Sequence, residues 1–169
     1  MSDGDSQFIH VTVGGMVRDQ RSNPVVLLEV EDGEEVLPIW IGHAEGLAIE
    51  LHMRGESFER PLTHDLFKTA LESLGGSVSK VAVTELRDNT FFAKIHIQRN
   101  NEVYVIDARP SDSIALALKS GAPIFVSQEV FSAHKRMLQS DQLLRDENPD
   151  ENPDDELRRY LEDLDPGDF

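Results

Sequence analysis

The densest run of chemistry-bearing residues is Ile106-Asp107-Ala108-Arg109-Pro110-Ser111-Asp112-Ser113, where an apolar strand pattern gives way to a helical one. The start of a helix presents backbone N–H groups without partners, an attractive place for an anion such as phosphate. Arg109 could hold a phosphate through two parallel N–H bonds. Asp107 and Asp112 could hold a hard cation, Mg²⁺ or Mn²⁺. The same residues have a purely structural use. Pro110 and Ser111 start a helix, Asp112 suits its positive end, and Arg109 pairs with a carboxylate. Chemistry alone favours neither reading.

His64-Asp65 is the second candidate. A histidine and an aspartate side by side can both ligate a divalent metal when other helices complete the set. Alternatively, Asp65 complements the dipole of the helix it opens and His64 faces solvent. Glu45 and Glu50 lie five residues apart on one helix and point in different directions, so a solvated face is expected for them. His10, His43, His52 and His96 have no supporting context, and Trp40 reads as core or interface. No phosphate-binding loop, dinucleotide fingerprint or His-Glu-x-x-His is present. His134-Lys135 with Asp141 has the wrong spacing for a phospholipase-type nuclease motif. Lys94 follows Phe92 and Ala93, not the acidic residue that many metal-dependent nucleases use.

The elements that must position these residues follow from periodicity. Residues 8–18 alternate as a strand, with Gly14-Gly15 suggesting a bulge. Strands follow over 25–30 and 36–41 around the Asp32-Gly33 turn. Pro38 favours an edge or a strand end. From Gly42 the period changes to 3.6: Ala44, Leu47, Ala48, Ile49 and Leu51 give a helix over 43–54. Thr63 caps a second helix, whose apolar face is Leu66, Phe67, Ala70, Leu71 and Leu74, and Gly75-Gly76 stops it. Strands over 78–86, 90–98 and 102–107 precede a third helix that ends at Ser120. A short strand at 124–126 leads into a helix around 127–139. Strands come in runs rather than in alternation with helices. The expected class is α+β: one domain over residues 1–140, with helices packed on a mixed, largely antiparallel sheet.

Composition sets the context. The chain has 169 residues and no cysteine, which removes disulfides, thiolate metal sites and thiol catalysis. Acidic residues number 32 against 16 basic ones. Residues 141–169 hold 12 and 3 of these, and the preceding 140 hold 20 and 13, so neither part is basic. Bulk electrostatics therefore count against nucleic-acid binding. Arginine outnumbers lysine eleven to five, a surface suited to a salty cytoplasm. Stability independent of molar salt would remove that expectation. Residues 141–169 read as an acidic, proline-punctuated linker followed by a short C-terminal helix with Leu157, Tyr160, Leu161 and Leu164 at helical spacing, docked or frayed. The first residues have neither a basic region nor an apolar run, and no stretch is long enough to span a membrane. A cytoplasmic location is expected.

Several blocks then match a known family in order. They are Leu37-Pro38-Ile39-Trp40-Ile41-Gly42, Glu45 with Ala48-Ile49, Arg60-Pro61-Leu62-Thr63-His64-Asp65-Leu66, and Asp107 through Leu118. Over roughly residues 8–135 the chain resembles the bifunctional nuclease domain. The ending Leu164-Asp165-Pro166-Gly167-Asp168-Phe169 is similar to the close of bacterial members. Gly46 and Ser113 stand where alanine is commoner. The resemblance implies an α+β domain that assembles as a homo-oligomer and cuts both DNA and RNA. It brings no established catalytic set. The expected catalytic residues are therefore the polar positions inside the matched blocks: His64, Asp65, Asp107, Arg109 and Asp112. Asp107 and Asp112 are the expected metal ligands. A non-enzymatic, oligomeric binding module with a role in stress regulation is the alternative.

Overall fold

A computed structural model describes residues 8–137 of the chain. Their order is β1 (Phe8–Arg18), β2 (Pro24–Glu29), β3 (Glu35–Trp40), α1 (His43–Met53), α2 (Thr63–Ser73), β4 (Gly76–Arg87), β5 (Thr90–Arg99), β6 (Glu102–Ala108), α3 (Pro110–Ser120), β7 (Ile124–Ser127), α4 (Gln128–His134) and β8 (Arg136–Met137). The strands form one mixed sheet in the order β6-β5-β4-β7-β1-β2-β3-β8. Every neighbouring pair is antiparallel except β4 and β7. The α+β class with a mixed, largely antiparallel sheet is what the runs of strands predict. The expected acidic linker and C-terminal helix lie outside the described residues.

Turn chemistry sets the hairpins. Asp88 and Asn89 both take positive φ between β4 and β5, and Asn100 does so before β6. Aspartate and asparagine tolerate that region better than other residues with a side chain. The register of β1 on β2 shifts between Val13 and Gly15, the bulge that the two glycines signal. Pro38 sits in β3 beyond the reach of β8, which covers only Glu35 and Val36. Its missing N–H therefore costs no ladder bond.

One continuous core joins Val11, Val26, Leu28, Leu37, Ile39, Val81, Val83, Ile95 and Ile97 of the sheet to Ile49, Ile114 and Phe131 of the helices. Helix α3 is its centre. Ser113 through Ala117 are all buried, because α1 and α2 both pack against α3 while its inner face meets β4 and β5. Gly121, with φ of 65°, ends it in the left-handed conformation that glycine adopts without a side-chain penalty. Gly46 lets α1 approach β2: a β-carbon there would lie 2.8 Å from Cγ of Pro24.

Three local expectations are corrected. Helix α2 begins one residue earlier than a Thr63 cap implies. Leu62 is the capping residue, and Asp65 accepts a hydrogen bond from its backbone N–H at 3.0 Å. The apolar face of α2 also looks outward: Leu66, Phe67 and Leu74 are exposed and only Leu71 reaches the core. Helix α4 ends at His134, and residues 136–137 leave it to pair with β3. Among the described residues no helix is long and apolar enough to cross a membrane.

Candidate active site

Strand β6 ends at Ala108, and Arg109 turns the chain into α3 with Pro110 as the first helical residue. Proline fits there because its φ suits the helix and the N–H it lacks would have no partner. Ser113 closes the turn: its N–H and its hydroxyl each donate to the Arg109 carbonyl at 3.0 Å. The geometry directs the side chains of Arg109 and Asp112 toward the neighbouring helices.

There they meet one residue from each. Arg109 Nε donates to Asp112 Oδ2 at 2.9 Å, and its Nη2 donates to Glu45 of α1 at 2.5 Å. His64 of α2 places Nε2 3.0 Å from Asp112 Oδ1. The result is a chain of four groups, Glu45–Arg109–Asp112–His64, spread over the first turns of three helices. Glu45 and His64 are mostly covered, with side chains 16% and 14% exposed, whereas Arg109 is 66% exposed. The cation is the most exposed member of the four.

Electrostatics fix the charge states. Burial by itself would raise the Asp112 carboxyl, but hydrogen bonds from Arg109 and His64 outweigh it and hold it below the usual aspartate value. Bonds to Asp112 and then Glu45 push Arg109 further up. An ionised carboxylate only accepts, so the proton between His64 and Asp112 sits on Nε2. When the ring is neutral, Nδ1 is then its basic nitrogen.

The remaining candidates go elsewhere. Asp65, beside His64 in sequence, turns to Lys119 at the far end of α3, 2.8 Å away. Burial raises its carboxyl, but Lys119 and the Leu62 N–H lower it more. Asp107 is separated from the cluster by the pleat of β6. Its neighbours Ile106 and Ala108 pair with Ile95 and Ala93, which face the core, so Asp107 points to the opposite side of the sheet. There it pairs with Lys94 at 3.2 Å. The structure does not bring the expected metal ligands Asp107 and Asp112 together. The two carboxylates lie on different faces, and both oxygens of Asp112 already take hydrogen bonds. Among the described residues no three His, Asp or Glu side chains converge as metal ligands.

Sequence reasoning brought His64, Arg109 and Asp112 forward but set Glu45 aside and missed Lys119. A signal for Glu45 existed in Gly42, three residues before it. A β-carbon at Gly42 would collide with the Glu45 carboxylate, so the glycine is the space in which that carboxylate lies. No comparable signal marked Lys119.

With this geometry in place, comparison with known proteins identifies its setting. The family model for the bifunctional nuclease domain matches residues 26–139, a span that holds all four cluster residues. This chain belongs to the bifunctional nuclease domain family. An uncharacterized protein of Mycobacterium tuberculosis is 39% identical over 164 residues, 93% of this chain and 94% of its own length. Bifunctional nuclease 1 of Arabidopsis thaliana is 27% identical over 135 residues, 77% of this chain and 42% of the plant protein. Bifunctional nuclease 1 of Oryza sativa subsp. indica is 25% identical over 118 residues, 68% of this chain and 36% of the rice protein. The chain thus spans less than half of the plant members of the family.

Proposed function

We propose that this chain hydrolyses phosphodiester bonds of DNA and RNA with little sequence preference. One observation carries the reading: in a bifunctional nuclease domain, an exposed arginine, an ionised aspartate and a histidine meet at a strand-to-helix junction. A phosphate exchanges with Glu45 for the outer edge of the Arg109 guanidinium, which then neutralises charge building on the phosphoryl oxygens. Asp112 fixes the ring and tautomer of His64. Water oxygen bonds to phosphorus, the ester bond breaks, and protonated His64 supplies the proton that the leaving oxygen takes. The ring recovers a proton from the incoming water. The setting of this activity in our reading is a homo-oligomer in the cytoplasm.

The test is cleavage of single- and double-stranded DNA and RNA by the purified chain, with Mg²⁺, with Mn²⁺ and with EDTA. His64→Ala is expected to lose about 10²- to 10⁴-fold in rate. Cleavage that survives His64→Ala and Arg109→Ala unchanged removes this site from the reaction. One observation favours the alternative, a non-enzymatic binding module: Arg109 is already held by two carboxylates. Absence of cleavage under all three conditions, with inorganic phosphate or an oligonucleotide still bound through Arg109, selects that module.

A further inference from the structure

Trp40 is the last residue of β3, shortly before α1 begins. Ile39 beside it is buried, yet Trp40 is 54% exposed, so the structure takes it out of the core. The indole is nonetheless held. Its Nε1 donates to Asp19 Oδ2 at 3.1 Å. Asp19 is in turn fixed inside the β1–β2 turn, where its Oδ1 accepts the backbone N–H groups of Arg21 and Asn23, both at 2.9 Å. Bonds from Asn23, its side chain first, hold the Asp19 carboxyl down at about 2, so it accepts as a carboxylate at neutral pH. With the ring N–H already bonded, Trp40 offers a ligand its apolar π surface on a plate of fixed orientation.

This plate lies near the candidate active site. Gly42 follows Trp40 by two residues, at most about 7 Å of chain. The Glu45 carboxylate lies in the space where a β-carbon of Gly42 would stand, and it holds the Arg109 guanidinium. The α-carbon of Trp40 is therefore within about 15 Å of that guanidinium. A few nucleotides of single strand bridge such a distance. Helix α1 also braces the turn that anchors the ring: Arg18, next to Asp19, pairs at 3.6 Å with Glu50, on the helix that carries Glu45.

We propose that Trp40 stacks an unpaired base of a single strand of DNA or RNA whose phosphate is held by Arg109. The inference takes its partner from the nuclease reading and adds to it a seat for the base and a preference for single strands. A phosphate backbone finds cations on both sides of the plate, since Arg109 and Arg21 are both exposed. The nearby carboxylates of Asp19, Glu45 and Glu50 each already accept a hydrogen bond, which tempers their repulsion. Every base has a π face, so stacking is tolerant of sequence, as an activity with little sequence preference requires. A base inside a duplex has both faces covered by its neighbours, so only an unpaired one can lie on the indole. A ring fixed in advance also loses little freedom when the base arrives.

Trp40 is the chain's single tryptophan, so its emission reports on this plate alone. The full chain in EDTA is titrated with an oligothymidylate, with an abasic oligonucleotide of the same length, and with a duplex. The oligothymidylate is expected to quench the emission, and the other two to leave it nearly unchanged. In fluorescence anisotropy with a tagged oligothymidylate, Trp40→Ala should weaken binding about 5- to 150-fold, the range that one stacked base contributes, and Trp40→Phe should keep most of the affinity. Circular dichroism checks that the variants stay folded, and the wild-type titration needs no variant. Cleavage assays with Mg²⁺ or Mn²⁺ separate this proposal from the nuclease reading. Quenching without cleavage leaves the stacking seat and removes the nuclease, whereas cleavage of a single strand with Trp40 unquenched does the reverse. Emission untouched by the single strand, equal quenching by the abasic chain or the duplex, or a folded Trp40→Ala that binds like the wild type each overturn the proposal. The first of these marks the indole as a protein contact instead.

Discussion

His64 Nε2 lies 3.0 Å from Asp112 Oδ1, joining the first turn of α2 to the first turn of α3 across 48 residues of sequence. Asp112 also receives Arg109 Nε, so a single carboxylate sets both the ring and the guanidinium. Asp112→Asn keeps the shape but offers one acceptor instead of two. The rate of phosphodiester cleavage is expected to fall at least about tenfold, since positioned acid–base groups contribute about 10² to 10⁴. The folded pKa of Asp112 lies below its ordinary value of 3.8. Its stabilising effect is therefore complete above that value and lost as pH falls through the lower folded one. The melting temperatures of wild type and Asp112→Asn should differ near neutral pH and converge in strong acid, which a calorimetric pH series measures.

Glu45 competes with any anion for Arg109. Glu45→Ala is expected to tighten binding of a single-stranded oligonucleotide by about three- to tenfold at low salt, because an Arg–carboxylate pair no longer has to open and a nearby like charge is gone. Turnover should fall, since the guanidinium loses one of its two fixed points. Gly42→Ala, whose added methyl displaces the Glu45 carboxylate, should act in the same direction. Fluorescence anisotropy against salt concentration measures both variants.

Two histidines make the fold acid-sensitive in a separate range. Burial and then the charge of Lys119 hold His52 below the ordinary 6.5, and burial and then Lys80 do the same to His96. A depressed folded value means that protons favour the unfolded chain. Stability from these two groups is present above about pH 6.5 and declines as pH falls through their folded values. The double variant His52→Gln with His96→Gln should flatten denaturant-unfolding stability between pH 7 and 5. An unaltered slope would remove these histidines as its source.

Gly46→Ala should destabilise this chain. The new methyl meets the ring of Pro24, which cannot rotate aside as a flexible side chain would. A loss of about 1–3 kcal/mol is expected from overpacking. Adding Pro24→Ala should recover part of it in urea unfolding.

Much of this fold is legible in the residues. The periods of 2 and 3.6 place the strands and most of the helices to within a few residues, and the glycine pair in β1 foretells its bulge. Helix α2 shows where such reading stops. Its apolar stripe announces a helix, but a stripe records amphipathicity without saying which neighbour covers it, and here Leu66, Phe67 and Leu74 face outward. Asp107 illustrates a second limit. It stands two residues from Arg109, and only the pairing of β6 with β5 reveals that the pleat turns it to the other side. Glu45 joins the cluster from 64 residues away, a relation that helix packing creates and local spacing cannot encode.

The middle of the sheet has a consequence for synthesis. Phe8 pairs with Ser127 and Val11 with Ile124, so the first described strand is held by one of the last. Emerging from the ribosome, β1 must wait for more than a hundred later residues before its neighbour β7 exists. Such distant pairing slows folding, because the loop must close before the contact rewards it. Until then the β4–β5–β6 hairpins can form among themselves, while the two halves of the sheet remain unstitched.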